Sequence, residues 1–152
     1  MTGTIRKIAL IALAAALPAP AALAQDIDRT AVDFRTPAEI RWVRNPNGTN
    51  ESAILFGDPN KPGPYVMRLK WLPGNMSRPH FHQYDRFFVV ISGTWWMGTG
   101  ERFDPDRTVA APAGSYVIHH ANKIHYDGAK GEEVVIQVSG MGPATAIPAE
   151  KK

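Results

Sequence analysis

The sequence predicts a single all-β domain, a sandwich or barrel of the jelly-roll kind. Three observations carry this. Short apolar or alternating runs recur from Ile40 onward, Gly- and Pro-rich sequences separate them, and no stretch of ten or more residues keeps a 3.6-residue period. Thirteen glycines and thirteen prolines in 152 residues suit many tight turns and would interrupt helices. Strands are expected at residues 40–44, 52–56, 65–71, 86–91, 94–98, 108–110, 115–118 and 133–138. The sequences between them (PNG, GDPNKPGP, LPG, SG, FDPD, PAG and AKG) supply the permissive glycines and fixed-φ prolines that reverse a chain. Thr36-Pro37-Ala38-Glu39 has the spacing of a capping box, with room for one turn before Trp42.

The two ends lie outside that pattern. Arg6 and Lys7 precede an unbroken apolar run at residues 8–17, and Ala22-Leu23-Ala24 then gives the A-x-A pattern of a signal peptidase site. Residues 1–24 are therefore expected to be a signal peptide, with an apolar run too short to span a bilayer. The mature protein would be secreted, periplasmic in a Gram-negative host, with no membrane insertion after signal removal. Residues 25–39 read as a polar N-terminal arm and 40–142 as the β-barrel. Residues 143–152, broken by prolines, read as a C-terminal tail that either covers an edge or frays.

Composition excludes several function classes. Signal removal takes two of the 17 basic residues and none of the 14 acidic ones, so the mature chain is close to neutral. Without a basic cluster interleaved with aromatics, nothing points to a nucleic-acid partner. The absence of cysteine excludes disulfides, thiolate metal ligands, a Cys nucleophile and a lipid-anchoring Cys. Open strand edges and surplus aromatics such as Trp42, Trp71 and Phe87 lead to the expectation of a homodimer.

The histidines carry the functional signal, since all five fall between His80 and His125. His80 and His82 stand two apart in a β context, so both side chains leave one face, with Cα atoms roughly 7 Å apart. Imidazoles leaning together across that gap can share an ion about 2.0–2.1 Å from each nitrogen. On a regular strand Tyr84 and Arg86 share this face. Asp85 takes the other unless a bulge shifts the phase, and Phe88 and Val90 continue into the interior. By the same parity His119 and His120 face opposite sides, and one of Trp95 and Trp96 faces the core. Arg68 and Lys70 share a solvated face.

Gly74, five residues, His80-Phe81-His82 and then Gly93 resemble the first motif of the cupin superfamily: Gly, five residues, His-x-His, three residues, Glu, six residues, Gly. The segment from Gly114 to His125 resembles the second motif, with His120 and Asn122 at its Pro and Gly positions. The likeness covers residues 65–138, most like small single-domain bacterial cupins. It implies a cupin-type jelly-roll β-barrel with a divalent transition metal (Fe, Mn, Zn, Cu or Ni) in its mouth. Carried over position by position, the ligands are His80, His82 and His125.

The family's fourth ligand is a Glu, and that position holds Arg86. A guanidinium is always charged and has no lone pair to give a metal. Three readings stay open. A three-His site holds the ion while Arg86 clamps a small anionic substrate bidentately, with Tyr84 presenting its hydroxyl to it. Such a site would serve oxygen chemistry, as three-His cupin dioxygenases do by resemblance, or Lewis-acid hydrolysis or isomerisation. Alternatively the barrel is a non-catalytic, metal-free module that binds a small molecule, or it is structural only.

Overall fold

The structure, a computed structural model, describes residues 27–151. The segment read as a signal peptide lies outside the described residues. The chain divides at Phe34 and Arg35 into two compact units. In the first, Asp28 Oδ1 accepts the Thr30 backbone N–H at 2.8 Å, and the Arg29 guanidinium lies 4.1 Å over the Phe34 ring.

The second unit is β throughout, apart from two 3₁₀ turns at Pro37–Glu39 and Pro105–Arg107. The first of these carries the capping box, with Glu39 Oε2 accepting from the Thr36 N–H at 2.7 Å. Eleven strands follow in chain order. They are β1 (Val43–Arg44), β2 (Asn50–Phe56), β3 (Gly63–Trp71), β4 (His80–Phe81), β5 (Arg86–Ser92) and β6 (Thr94–Thr99). After them come β7 (Val109–Pro112), β8 (Tyr116–His119), β9 (His125–Gly128), β10 (Val134–Gly142) and β11 (Ile147–Pro148). One antiparallel sheet runs β1-β2-β3-β10-β5-β8 and a second runs β11-β4-β9-β6-β7. The fold is a jelly roll, but its sheets are not closed into the expected barrel. Strands β1 and β8 edge one sheet, and β11 and β7 edge the other. Among the described residues no helix is long and apolar enough to cross a membrane.

Each of the eight strands read from the sequence is present. The additional ones, β4, β9 and β11, have two to four residues and hold their shape through pairing rather than propensity. The tail enters the second sheet as β11, Ile147 opposite Phe81 and Pro148 opposite His80.

Strand alternation sets the core. On β5, Arg86, Phe88 and Val90 turn inward while Phe87, Val89 and Ile91 stay exposed. Val134, Ile136 and Val138 of β10 and Tyr65 and Trp71 of β3 join them, and Trp95 and Ala111 face them from the second sheet. Trp96 sits on the other side of β6, where Lys130 Nζ lies 4.1 Å from its ring centroid. The face with Arg68 and Lys70 is half covered: Lys70 Nζ lies 3.1 Å from Glu51 and 4.4 Å over the Trp42 ring. Arg68 Nε donates to Gln137 at 3.2 Å.

Gly93 makes the β5–β6 turn at φ 72°, and a Cβ there would lie 2.3 Å from the Glu133 carbonyl oxygen. Gly93→Ala is therefore expected to lower stability by at least about 1–3 kcal/mol, from the left-handed backbone plus the clash. Urea denaturation of both chains measures it, and an unchanged midpoint would contradict this account of the turn.

Candidate metal and anion site

Two cross-strand pairs, one in each sheet, meet in the interior. His80 of β4 lies opposite His125 of β9, and Arg86 of β5 opposite His119 of β8. His82 follows β4 directly, and its ring centroid is 4.9 Å from that of His80 and 5.7 Å from that of His125. One ligand atom from each of His80, His82 and His125 lies within 4.8 Å of the others. The structure thus brings the three predicted metal-ligand residues together.

Their backbone surroundings fix which nitrogen each ring can offer. His80 Nδ1 lies 2.8 Å from the Arg78 carbonyl oxygen, His82 Nδ1 3.0 Å from that of Thr145, and His125 Nδ1 2.9 Å from that of Lys123. A carbonyl only accepts, so each Nδ1 carries the proton and donates, and each Nε2 keeps its lone pair. This is the arrangement that orients and tautomerises metal-binding histidines. His125 Nε2 is buried and has no partner among the described residues. The donor set therefore fits a divalent transition ion.

Arg86 bears directly on that set. Its side chain points inward, 9% exposed, and Nη1 donates to His82 Nε2 at 2.5 Å. Its Nε is buried and unpartnered, and its guanidinium carbon lies 5.0 Å from the Phe88 ring centroid. Among the described residues no carboxylate forms an ion pair with it. A buried cation without a counter-charge is costly, and the unpartnered Arg86 Nε–H leaves a donor unused.

A cavity of about 310 Å³ opens onto these groups. Leu69, Trp71, Phe88 and Ile136 form its apolar wall, and His80, His82, Arg86 and Asp127 its polar end.

Tyr84 departs from the expected inward placement. Gln83 and Tyr84 form a bend between β4 and β5, so strand parity is broken there. Tyr84 is 45% exposed and does not line the cavity. Arg86 regains the inward direction because pairing with β10 and β8 sets the phase of β5 anew.

Asp85 faces away from the histidines, and Oδ1 accepts the Ala121 backbone N–H at 2.7 Å. Its Oδ2 lies 3.8 Å from Nδ1 of the exposed His120. The same loop carries Asn122 at φ 59°, where the resembled motif has Gly; Asn tolerates that conformation better than most side chains. Its N–H donates to the His82 carbonyl at 2.8 Å.

Two polar residues of the interior went unassigned in the sequence. His119 is buried, its ring centroid 3.8 Å from that of His125 and 5.2 Å from that of Trp95. Asp127 is buried on β9, and its Oδ1 accepts the Trp95 indole N–H at 3.1 Å. Its signal was its position two residues after His125, on the same face of a strand too short to read.

Burial is the main cause that lowers His82 to about pH 3, with the Arg86 guanidinium next. Burial also lowers His119 to about 2 and pushes His125 down. An unfolded imidazole takes its proton near 6.5, so between 6.5 and about 3 the unfolded chain binds more protons than the folded one. Stability should therefore fall as pH drops through that window. The urea midpoint of the metal-free chain is expected to be lower at pH 5 than at pH 7.5. An equal midpoint would mean that these rings are not held neutral.

No protein-family model and no curated protein matches the chain. Solved structures do. The polyketide cyclase RemF from Streptomyces resistomycificus superposes with a TM-score of 0.65 at 14% identity, over 80% of this chain and 87% of its own. An RmlC-like cupin from Shewanella frigidimarina gives 0.56 at 10% identity, over 71% and 88%. A protein with a double-stranded β-helix domain from Klebsiella pneumoniae gives 0.55 at 22% identity, over 72% and 91%. With that likeness, and with three histidines gathered between its two sheets, the chain has the fold of the cupin superfamily.

Proposed function

We propose that this chain is an exported cupin that binds one divalent transition metal ion through His80, His82 and His125. It acts as an enzyme on a small anionic substrate oriented by Arg86. The observation that carries this reading is the common tautomer: three Nδ1–H groups tied to backbone carbonyls leave each ring its Nε2 lone pair, in residues whose ligand atoms lie within 4.8 Å of one another. Iron, manganese, zinc, copper and nickel all suit imidazole donors. A bound ion would supply Lewis-acid polarisation or, if redox-active, oxygen chemistry. RemF, which shares the fold, is a polyketide cyclase.

The chain's own residues do the rest. Arg86 offers its fork to a carboxylate or phosphate in a site walled by apolar side chains, where charge interactions are strengthened. The cavity holds a small molecule only. An ion and Arg86 compete for one lone pair on His82, so Arg86 must leave His82 Nε2 for all three histidines to ligate. The short Arg86–His82 contact also favours a second reading, a non-catalytic cupin that binds its small molecule without metal.

Elemental mass spectrometry of untagged protein from the exported fraction, prepared without chelators, separates the two. About one transition ion per chain is expected, with His82→Ala lowering affinity at least about tenfold. Arg86→Gln should raise ion affinity and abolish binding of benzoate, used as an anionic probe. A chain that takes up no ion on reconstitution with benzoate present would favour the second reading. Intact mass of the same preparation should begin at Gln25, in keeping with a signal peptide and a periplasmic location.

The outer face of β5 and β8 favours a homodimer. Exposed Phe87 and Val89 pair with exposed Ile118 and Tyr116, and Ile91 extends the patch beside the unpaired edge of β8. Sedimentation velocity is expected to show a dimer for the native chain and a monomer for Val89→Lys. A monomeric native chain would rule this out.

A further inference from the structure

Beside the three histidines lies a second group of donors. One ligand atom from each of His119, His125 and Asp127 falls within 4.8 Å of the others, and all three residues are buried. His119 comes from β8 in one sheet, and His125 and Asp127 from β9 in the other. His119 is 8% and His125 5% exposed, yet among the described residues His119 Nδ1 and His125 Nε2 have no partner. Buried polar atoms are ordinarily satisfied, so two orphans in one cluster call for an occupant. Asp127 is the one buried carboxylate among the described residues. Trp95 engages its Oδ1, and among the described residues no cation pairs with it.

We propose that His119, His125 and Asp127 form a second, inner position for a divalent transition metal ion. Two imidazoles and one carboxylate are a donor set that zinc, iron(II) and manganese accept. The ion supplies what the cluster lacks: a positive charge for Asp127 and a partner for ring nitrogens that have none among the described residues.

The inner position shares His125 with the three-histidine site. Because His125 Nδ1 donates to the Lys123 carbonyl, only Nε2 can serve, and one lone pair binds one ion at a time. The two positions are therefore alternatives. Arg86 holds the lone pair of His82 but makes no hydrogen bond to the inner group, so the inner position is the one left open while Arg86 stays. The exchange between positions rests on the three-histidine reading; the inner position does not.

Cobalt(II) titration of the full mature chain tests this, followed by cobalt absorption and tryptophan fluorescence, since Trp95 touches Asp127. The double variant His80→Ala/His82→Ala is expected to keep one cobalt per chain and to show fluorescence quenching. Adding His119→Gln or Asp127→Asn should then weaken cobalt binding at least about tenfold. A folded double variant that binds no cobalt would overturn the proposal, as would binding indifferent to both added changes. Should the double variant not fold, anomalous scattering from cobalt-loaded crystals of His82→Gln decides. Density beside Asp127 supports the inner position, and density away from Asp127 or none at all overturns it. Failure of the three-histidine reading looks different: in an Asp127→Asn chain, which lacks the inner position, adding His82→Ala would leave cobalt affinity unchanged.

Discussion

A guanidinium keeps its proton at every pH a protein meets, so a chain that buries one has to provide an acceptor. In this fold the acceptor of Arg86 is the lone pair of a neutral imidazole, His82 Nε2. That contact is possible only because the Thr145 carbonyl holds the His82 proton on Nδ1. A protonated His82 would place two cations against each other in an apolar cavity. Burial and the guanidinium therefore press in the same direction, and the ring stays neutral. Burial likewise lowers His125 and His119, which lets these rings crowd beside His82 without charge repulsion.

The scaffold supplies the precision. Every group in the site except His82 is fixed by a strand pair: His80 against His125, and Arg86 against His119. His82 lies just past β4, but its carbonyl accepts from Asn122 and its ring donates to Thr145. The Asn122 loop is in turn tied down by Asp85. The role of Asp85 is thus to hold the loop between β8 and β9 against the start of β5, a task done from outside the cavity.

The sequence made part of this legible, and the boundary has physical causes. Strands β5 and β10 bury alternate residues over their first five positions, and a period of two over that length can be read directly. Strands β4 and β11 have two residues each, too few for any period, and exist because partners pair with them. His80, His82 and His125 were reached through motif spacing, which survives short strands. The choice between His119 and His120 was not reachable, because adjacent residues differ only by strand phase and that phase is set by the β5–β8 register. Tyr84 shows the converse error: parity was carried across a bend that interrupts it. Asp127 was missed because every residue of β9 is buried on both faces, so no polar alternation marks it.

The replacement of a carboxylate by Arg86 changes the electrostatics of the site more than its shape. Imidazole ligands bring no negative charge, so a divalent ion among them would stand beside a guanidinium with Asp127 as the one buried carboxylate among the described residues. In an apolar cavity such an excess of positive charge is unfavourable unless an anion enters. An anion that draws Arg86 from His82 does two things at once: it supplies negative charge and frees the lone pair that a metal ion needs. Ion and anion must then favour each other's binding, and by linkage the factor is the same in both directions. A cupin with glutamate at this position carries its compensating charge in its own chain. Here that charge would be left to a ligand, and under the proposed function occupancy of the three-histidine site would depend on the anion bound with it.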